Sequence, residues 1–240
     1  MPAPDPFAVA RKKLVVALDG DSLVRAQELV DLLKADVRNF EIGMELFTAC
    51  GPAAIKMIQE NGGRAFLDLK YHDIPSTVAK AVGAAAKLGV AMINVHASGG
   101  HLMMEAARKM IAQLDLGASS PQLIAVTVLT SMESLADIGV QYEVRSQVVR
   151  LAKLAKEVGL DGVLASSLEI KAIRQACGKD FVIVTSGIRL PGTAADDQRR
   201  VGDPGQACNA GADYLVVGRP ITEAPDPRAG VHAILKGMGT

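Results

Sequence analysis

The chain has 240 residues, 49% hydrophobic and 22% charged, which is the balance of a folded globular protein and excludes a disordered one. Its 26 Lys and Arg offset 26 Asp and Glu, aromatics are 3% and Trp is absent. That excludes a global polyanion binder and base-stacking platforms, so no nucleic-acid partner is expected.

In chain order, residues 1–10 read as a Pro-rich tail. The opening MPAPDPFAVARKK has no apolar core of a signal peptide. Short β-rich runs then follow at Leu14–Leu18, Asn39–Gly43, Arg64–Leu69, Ala91–His96, Leu123–Leu129, Gly162–Ala165, Phe181–Thr185 and Tyr214–Val217. Between them lie Ala-, Leu-, Lys- and Glu-rich stretches with helical spacing. In Ser22–Lys34 the residues Leu23, Ala26, Leu29, Val30 and Leu33 repeat at three and four, with Ser22 as N-cap. Gly62, Gly89 and Gly159 stand where helices should stop.

Strands separated by helices pair in parallel with right-handed crossovers. Eight such units fit a single (β/α)8 (TIM) barrel over residues 11–240, close to the usual ~250 residues of that α/β fold, with its active site at the C-terminal ends of the strands. A doubly wound open sheet is the rival, but the first strand lacks the GxGxxG turn of its dinucleotide-binding form. No apolar run approaches the ~18 residues of a membrane span. Cys50, Cys177 and Cys208 form no CxxC pair and read as reduced thiols, so a cytoplasmic protein is expected.

Alternation then places side chains. Val15, Ala17 and Asp19 share one face of the first strand; Glu41 lies opposite Phe40 and Ile42 on the second. Phe66, Asp68 and Lys70 share a face of the third, and Asn94 and His96 a face of the fourth. Asp19, Glu41, Asp68, Lys70 and His96 are therefore expected to converge on one mouth, with Asp73 just beyond. Singly, such carboxylates read as solvated caps. Together, an Asp-x-Lys pair and further acids facing into a barrel indicate a site, because desolvating them without function is unfavourable. His72 and His96 also read as packing residues, and His101 and His232 as surface residues. No HxH or HExxH spacing supports a metal, so none is expected.

The far end has different chemistry. After the seventh strand comes Ser186-Gly187-Ile188-Arg189 and a long polar loop; after the eighth comes Gly218-Arg219-Pro220. Glycines let backbone amides approach an anion, and Arg adds a fork of donors at the usual phosphate corner of such barrels. The length of the loop suggests a lid.

These segments resemble the orotidine 5′-phosphate decarboxylase family. The resemblance rests on ALD at 17–19, IGMELF at 42–47, FLDLKYHDIPSTV at 66–78, NVHASGG at 94–100, VTVLTSM at 126–132, TSGIR at 185–189, DDQRRV at 196–201 and VVGRPI at 216–221. The DxKxxD core alone is shared with sugar-phosphate relatives; the DIPST, LTSM, GIR with DDQ, and VVGRP segments are more specific. The resemblance implies cofactor-free conversion of OMP to UMP. It implies Lys70 as proton donor to C6, Asp68 beside the departing carboxylate, and Asp73, Ile74 and Thr77 reaching into the neighbouring site of a homodimer. It also implies Asp19 on ribose hydroxyls, Thr130 on the pyrimidine, and Arg189, Gln198, Gly218 and Arg219 on the phosphate.

One position departs from the pattern. The family usually reads Lys-(Ile/Val)-Gly after the second strand, whereas this chain reads Phe40-Glu41-Ile42-Gly43. Glu41 is placed among the substrate-binding residues, but Glu41, Asp68 and Asp73 then face Lys70 alone, and so many like charges cannot all stay ionised uncompensated. Three resolutions stand: Glu41 is protonated, it turns to ribose hydroxyls or another cation, or a divalent metal enters. The last is the alternative reading, because a glutamate here helps bind magnesium in 3-keto-L-gulonate 6-phosphate decarboxylases and hexulose phosphate synthases. A barrel that binds nucleotides without turnover is the non-enzymatic alternative.

Overall fold

A computed structural model of the protein describes residues 5–190 and 200–239. Eight strands alternate with helices: β1 Leu14–Leu18, β2 Asn39–Ile42, β3 Arg64–Tyr71, β4 Met92–His96, β5 Gln122–Val126, β6 Gly162–Ser166, β7 Val182–Ser186 and β8 Tyr214–Val217. Every strand pairs in parallel with its sequence neighbours, and β8 returns to β1 to close the barrel. The expected (β/α)8 barrel is therefore present.

Two layers of apolar side chains follow from the period of two. Val15, Ala17, Phe66, Met92, Ile124, Val126, Leu164, Val184 and Val216 fill the barrel interior. Leu14, Val16, Leu18, Phe40, Ile42, Leu67, Ile93 and Val95 point outward into the layer beneath the helices. Each large side chain buried there stabilises the fold by about 1.5–3 kcal/mol. The helices supply the facing stripe, as in Leu23–Leu33, where Ala26, Leu29, Val30 and Leu33 are buried. That helix starts where expected: the Ser22 side chain accepts a hydrogen bond from the Arg25 amide at 3.3 Å. The helix Pro75–Lys87 ends before Gly89, which takes φ +74°, a conformation that would strain a side-chain-bearing residue.

Several strand ends differ from the sequence reading by one residue, and two differ by more. β5 stops at Val126, and beyond it Thr127 donates to the Leu164 carbonyl with both its backbone N–H, at 3.1 Å, and its hydroxyl, at 2.9 Å. β3 runs on to Tyr71 through a register shift against β4, and Lys70 sits in that irregularity with φ +50°. At the N-terminal floor, the helix Ala8–Lys13 brings Arg11 to Asp36, which also receives Arg228 and His232 from the helix Pro227–Gly237. Among the described residues no helix is long and apolar enough to cross a membrane.

Candidate active site

A cavity of about 300 Å³ opens at the C-terminal ends of the strands. Asp19, Glu41, Asp68 and Lys70 line it from β1 to β3 and their ends; Thr130 comes from the loop after β5, Arg189 from beyond β7, and Gly218 and Arg219 from beyond β8. These sites come from far-separated segments, and the closed barrel brings them together.

Lys70 is held by its own strand's irregularity. A non-glycine residue at φ +50° is disfavoured by roughly 1–3 kcal/mol and persists only where its surroundings fix it. Here Asn94, fully buried on β4, supplies that fixing. Its side-chain oxygen accepts the Lys70 backbone N–H at 2.8 Å, and its amide nitrogen donates to Asp68 Oδ1. The Lys70 ammonium in turn donates to Asp68 Oδ2. Asn94 thus orients both members of the charged pair. The alternation of β4 shows it facing inward, but its two hydrogen bonds to β3 depend on a bulge that the alternation does not contain.

Burial pushes the Glu41 carboxyl well above the usual range, and the neighbouring Asp68 charge pushes it further; Lys70 only partly opposes them. Burial also works to raise Asp68, but a hydrogen bond to Glu41, the Lys70 charge and hydrogen bond, and the Asn94 amide hold it below its ordinary value. Among the described residues no three His, Cys, Asp or Glu side chains group as metal ligands.

The opposite rim is built from loops. Gly218 lies against Asp19: a Cβ there would come within 2.8 Å of Asp19 Oδ2, so a side chain would displace the carboxylate. Arg189 is buried, and its backbone N–H bonds the Gly202 carbonyl at 3.0 Å while Ile188 bridges Gly202. Buried Arg200 ties this rim to the Thr130 loop. Its backbone N–H donates to the Thr130 carbonyl at 3.2 Å, and its guanidinium reaches the Val128 carbonyl at 3.0 Å and Glu169 at 2.7 Å. Burial raises Glu169 despite that guanidinium. Arg200 has no local sequence signal, because its partners are scattered along the chain.

Not every expected residue lines this cavity. Asp73, Ile74 and Thr77 are exposed on the outer side of the mouth, where Asp73 Oδ1 accepts the Ile74 amide at 2.6 Å. His96, expected in the mouth, instead sits beside His72 with ring centroids 5.3 Å apart, and burial lowers its basicity, with His72 and Lys70 adding to the effect. Gln198 lies outside the described residues. The arrangement can hold an anionic group at the Arg189–Arg219 rim and place an ammonium against a carbon centre across the barrel. A fixed cation in such a site stabilises developing negative charge and supplies a proton.

Comparison with known proteins gives a consistent answer. The Orotidine 5′-phosphate decarboxylase / HUMPS family profile matches residues 12–234. The orotidine 5′-phosphate decarboxylase of Moorella thermoacetica is 52% identical over 230 residues, spanning 94% of this chain and 91% of its own. That of Pelobacter propionicus is 51% identical over 228 residues, spanning 94% and 95%. Among solved structures, orotidine 5′-phosphate decarboxylase from Lactobacillus acidophilus matches with a TM-score of 0.83 at 39% identity, over 95% of this chain and 100% of its own.

Proposed function

The chain belongs to the orotidine 5′-phosphate decarboxylase / HUMPS family and is a carbon–carbon lyase that converts OMP to UMP in pyrimidine nucleotide synthesis; from that premise we propose how its cavity does so. The observation that carries the reading is the Lys70 ammonium fixed on Asp68 inside a mouth whose far rim holds Arg189 and Arg219.

Arg189, Gln198, Gly218 and Arg219 hold the phosphate, Asp19 the ribose hydroxyls and Thr130 the pyrimidine. Phosphate binding supplies energy to seat the ring against Lys70. Asp68 lies beside the departing carboxylate. The C6–carboxylate bond breaks, carbon dioxide leaves, and the electron pair remains on C6. The Lys70 ammonium stabilises that carbanion and transfers a proton to it, giving the C6–H of UMP. The resulting neutral amine regains its proton from solvent. The sequence carries no motif for an organic cofactor, and this route uses none.

The exposed Asp73, Ile74 and Thr77 complete the site of a second copy in a homodimer. We place the catalytic domain at residues 11–240, preceded by a tail over residues 1–10 whose last three residues enter the helix Ala8–Lys13, and the reaction in the cytoplasm, where the unpaired Cys50, Cys177 and Cys208 stay reduced.

The test is purified protein with OMP in EDTA, following loss of the orotate absorbance. Metal-free turnover is expected; turnover only with added magnesium and 3-keto-L-gulonate 6-phosphate would overturn the reading. Mixing Lys70→Ala chains with Asp73→Ala chains tests the dimer: regained activity is expected, and two inactive parents giving an inactive mixture would refute shared sites.

A further inference from the structure

We propose that Glu41 and Asp68 hold a single proton between them, with Glu41 the neutral donor and Asp68 the charged acceptor, so that Glu41 acts as a positioning residue for the Asp68–Lys70 pair. The inference rests on the decarboxylase reading for its kinetic part and on the cluster of side chains around Asp68 for its state.

Hydrogen-bond logic places the proton. Glu41 on β2 pairs with Phe66, two residues before Asp68 on β3, so both carboxyls face the same cavity, where each acts on the other as a hydrogen-bonding neighbour; two carboxylates cannot bond without a proton between them. Asp68 already faces obligate donors: the Lys70 ammonium on Oδ2 and the Asn94 amide nitrogen on Oδ1. The Asn94 orientation is not free to reverse, because its oxygen is committed to the Lys70 backbone N–H. Asp68 is therefore the acceptor throughout, and the proton belongs to Glu41. Both side chains are buried, 8% and 4% exposed, and meet each other at the wall of the cavity.

The groups facing Glu41 agree. Asp19 at the end of β1 and Asp68 on β3 are acidic, Lys70 on β3 is basic, and Asn94 on β4 is neutral; Arg189 and Arg219 belong to the opposite rim of the cavity. Burial and Asp68 together favour the neutral acid. With Glu41 neutral, Asp68 and Lys70 cancel, and the substrate carboxylate meets one negative charge fewer. With Glu41 ionised, its charge adds to those of the neighbouring acids and repels that carboxylate more strongly. A neutral hydrogen-bond donor here does what a second cation would otherwise do: it holds Asp68 charged and in place.

The consequence is an alkaline limb specific to the carboxylated ligand. As pH rises and the shared proton is lost, OMP binding weakens more than UMP binding, since UMP lacks the carboxylate. Glu41→Gln keeps a donor toward Asp68 that does not titrate, whereas Glu41→Met keeps the volume without a donor.

The experiment pairs infrared difference spectra of the ligand-free enzyme, native minus Glu41→Gln, with kcat/KM for OMP and Kd for UMP across neutral to alkaline pH. A protonated-carboxyl carbonyl band at neutral pH, absent from Glu41→Gln, is expected. Below about pH 9, under the ordinary lysine range near 10.4, the alkaline fall in kcat/KM is expected to vanish in Glu41→Gln, whatever its absolute rate. Glu41→Met is expected to lie about tenfold or more below Glu41→Gln, the loss of one hydrogen bond to a charged group. No such band in the native enzyme, or an alkaline limb that persists in Glu41→Gln, would overturn the proposal. Absence of OMP turnover at every pH would instead strike the decarboxylase reading, while the infrared result still decides the state of Glu41.

Discussion

Asp36 and Glu41 stand at opposite ends of β2, both almost fully buried, and the structure shifts them in opposite directions. At the floor, burial works to raise Asp36, but Arg11, His232 and their hydrogen bonds outweigh it and hold it below the ordinary range. At the mouth, burial raises Glu41 and the nearest charge, Asp68, adds to it. Both carboxyls expose little surface, but Glu41 lies deeper and meets acids where Asp36 meets cations, and depth and neighbours together give opposite outcomes. Where cations meet the acid, it ties the floor together. Where acids crowd one ammonium, the chemistry is concentrated.

The two ends also oppose each other in pH. Asp36 has a lowered folded value, so its contribution to stability is complete above the unfolded carboxylate value near 3.9 and is lost as pH falls through the folded one. Glu41 has a raised folded value, so its contribution is complete below its unfolded value near 4.3 and is lost as pH rises through the folded one.

The comparison is best strained where a buried acid is paired with a buried guanidinium. Arg200→Met leaves Glu169 buried without its guanidinium and is expected to lower stability by about 3–5 kcal/mol in denaturant titration, with Arg200→Met/Glu169→Leu recovering much of the loss. An equal loss in both would mean that packing, not charge, is at stake. Next in size, Asn94→Ala frees Lys70 and Asp68 together and is expected to lower kcat about 10- to 100-fold with a smaller change in KM. A pure KM effect would place Asn94 in substrate binding instead. Smaller still, Asp36→Asn is expected to reduce stability by about 1–2 kcal/mol at neutral pH, because its cations are partly solvated. That difference should close in acid while kcat stays unchanged, and a changed kcat would end the division between floor and mouth.

Much of this was legible in the sequence. The period of two in LVVALD and FLDLK sets which residues face inward, and Asp19, Glu41 and Asp68 meet as that period requires. The helix Leu23–Leu33 begins at its capping serine. Three things were not legible. Lys70 reaches the cavity through a local irregularity with φ +50°, which alternation cannot express. His96 satisfies the alternation yet sits beside His72 rather than on the cavity wall. Arg200 gathers Glu169, Val128 and Thr130 from separate loops, a set that only the closed barrel brings together.

The most direct test of the account is Lys70→Ala, measured for OMP turnover and for UMP binding on the same preparation. The expected result is loss of turnover by about 10⁴-fold, the combined loss of charge stabilisation and proton donation, with UMP still bound. Turnover within a few fold of the native enzyme would contradict the assignment of the reaction to the Asp68–Lys70 pair.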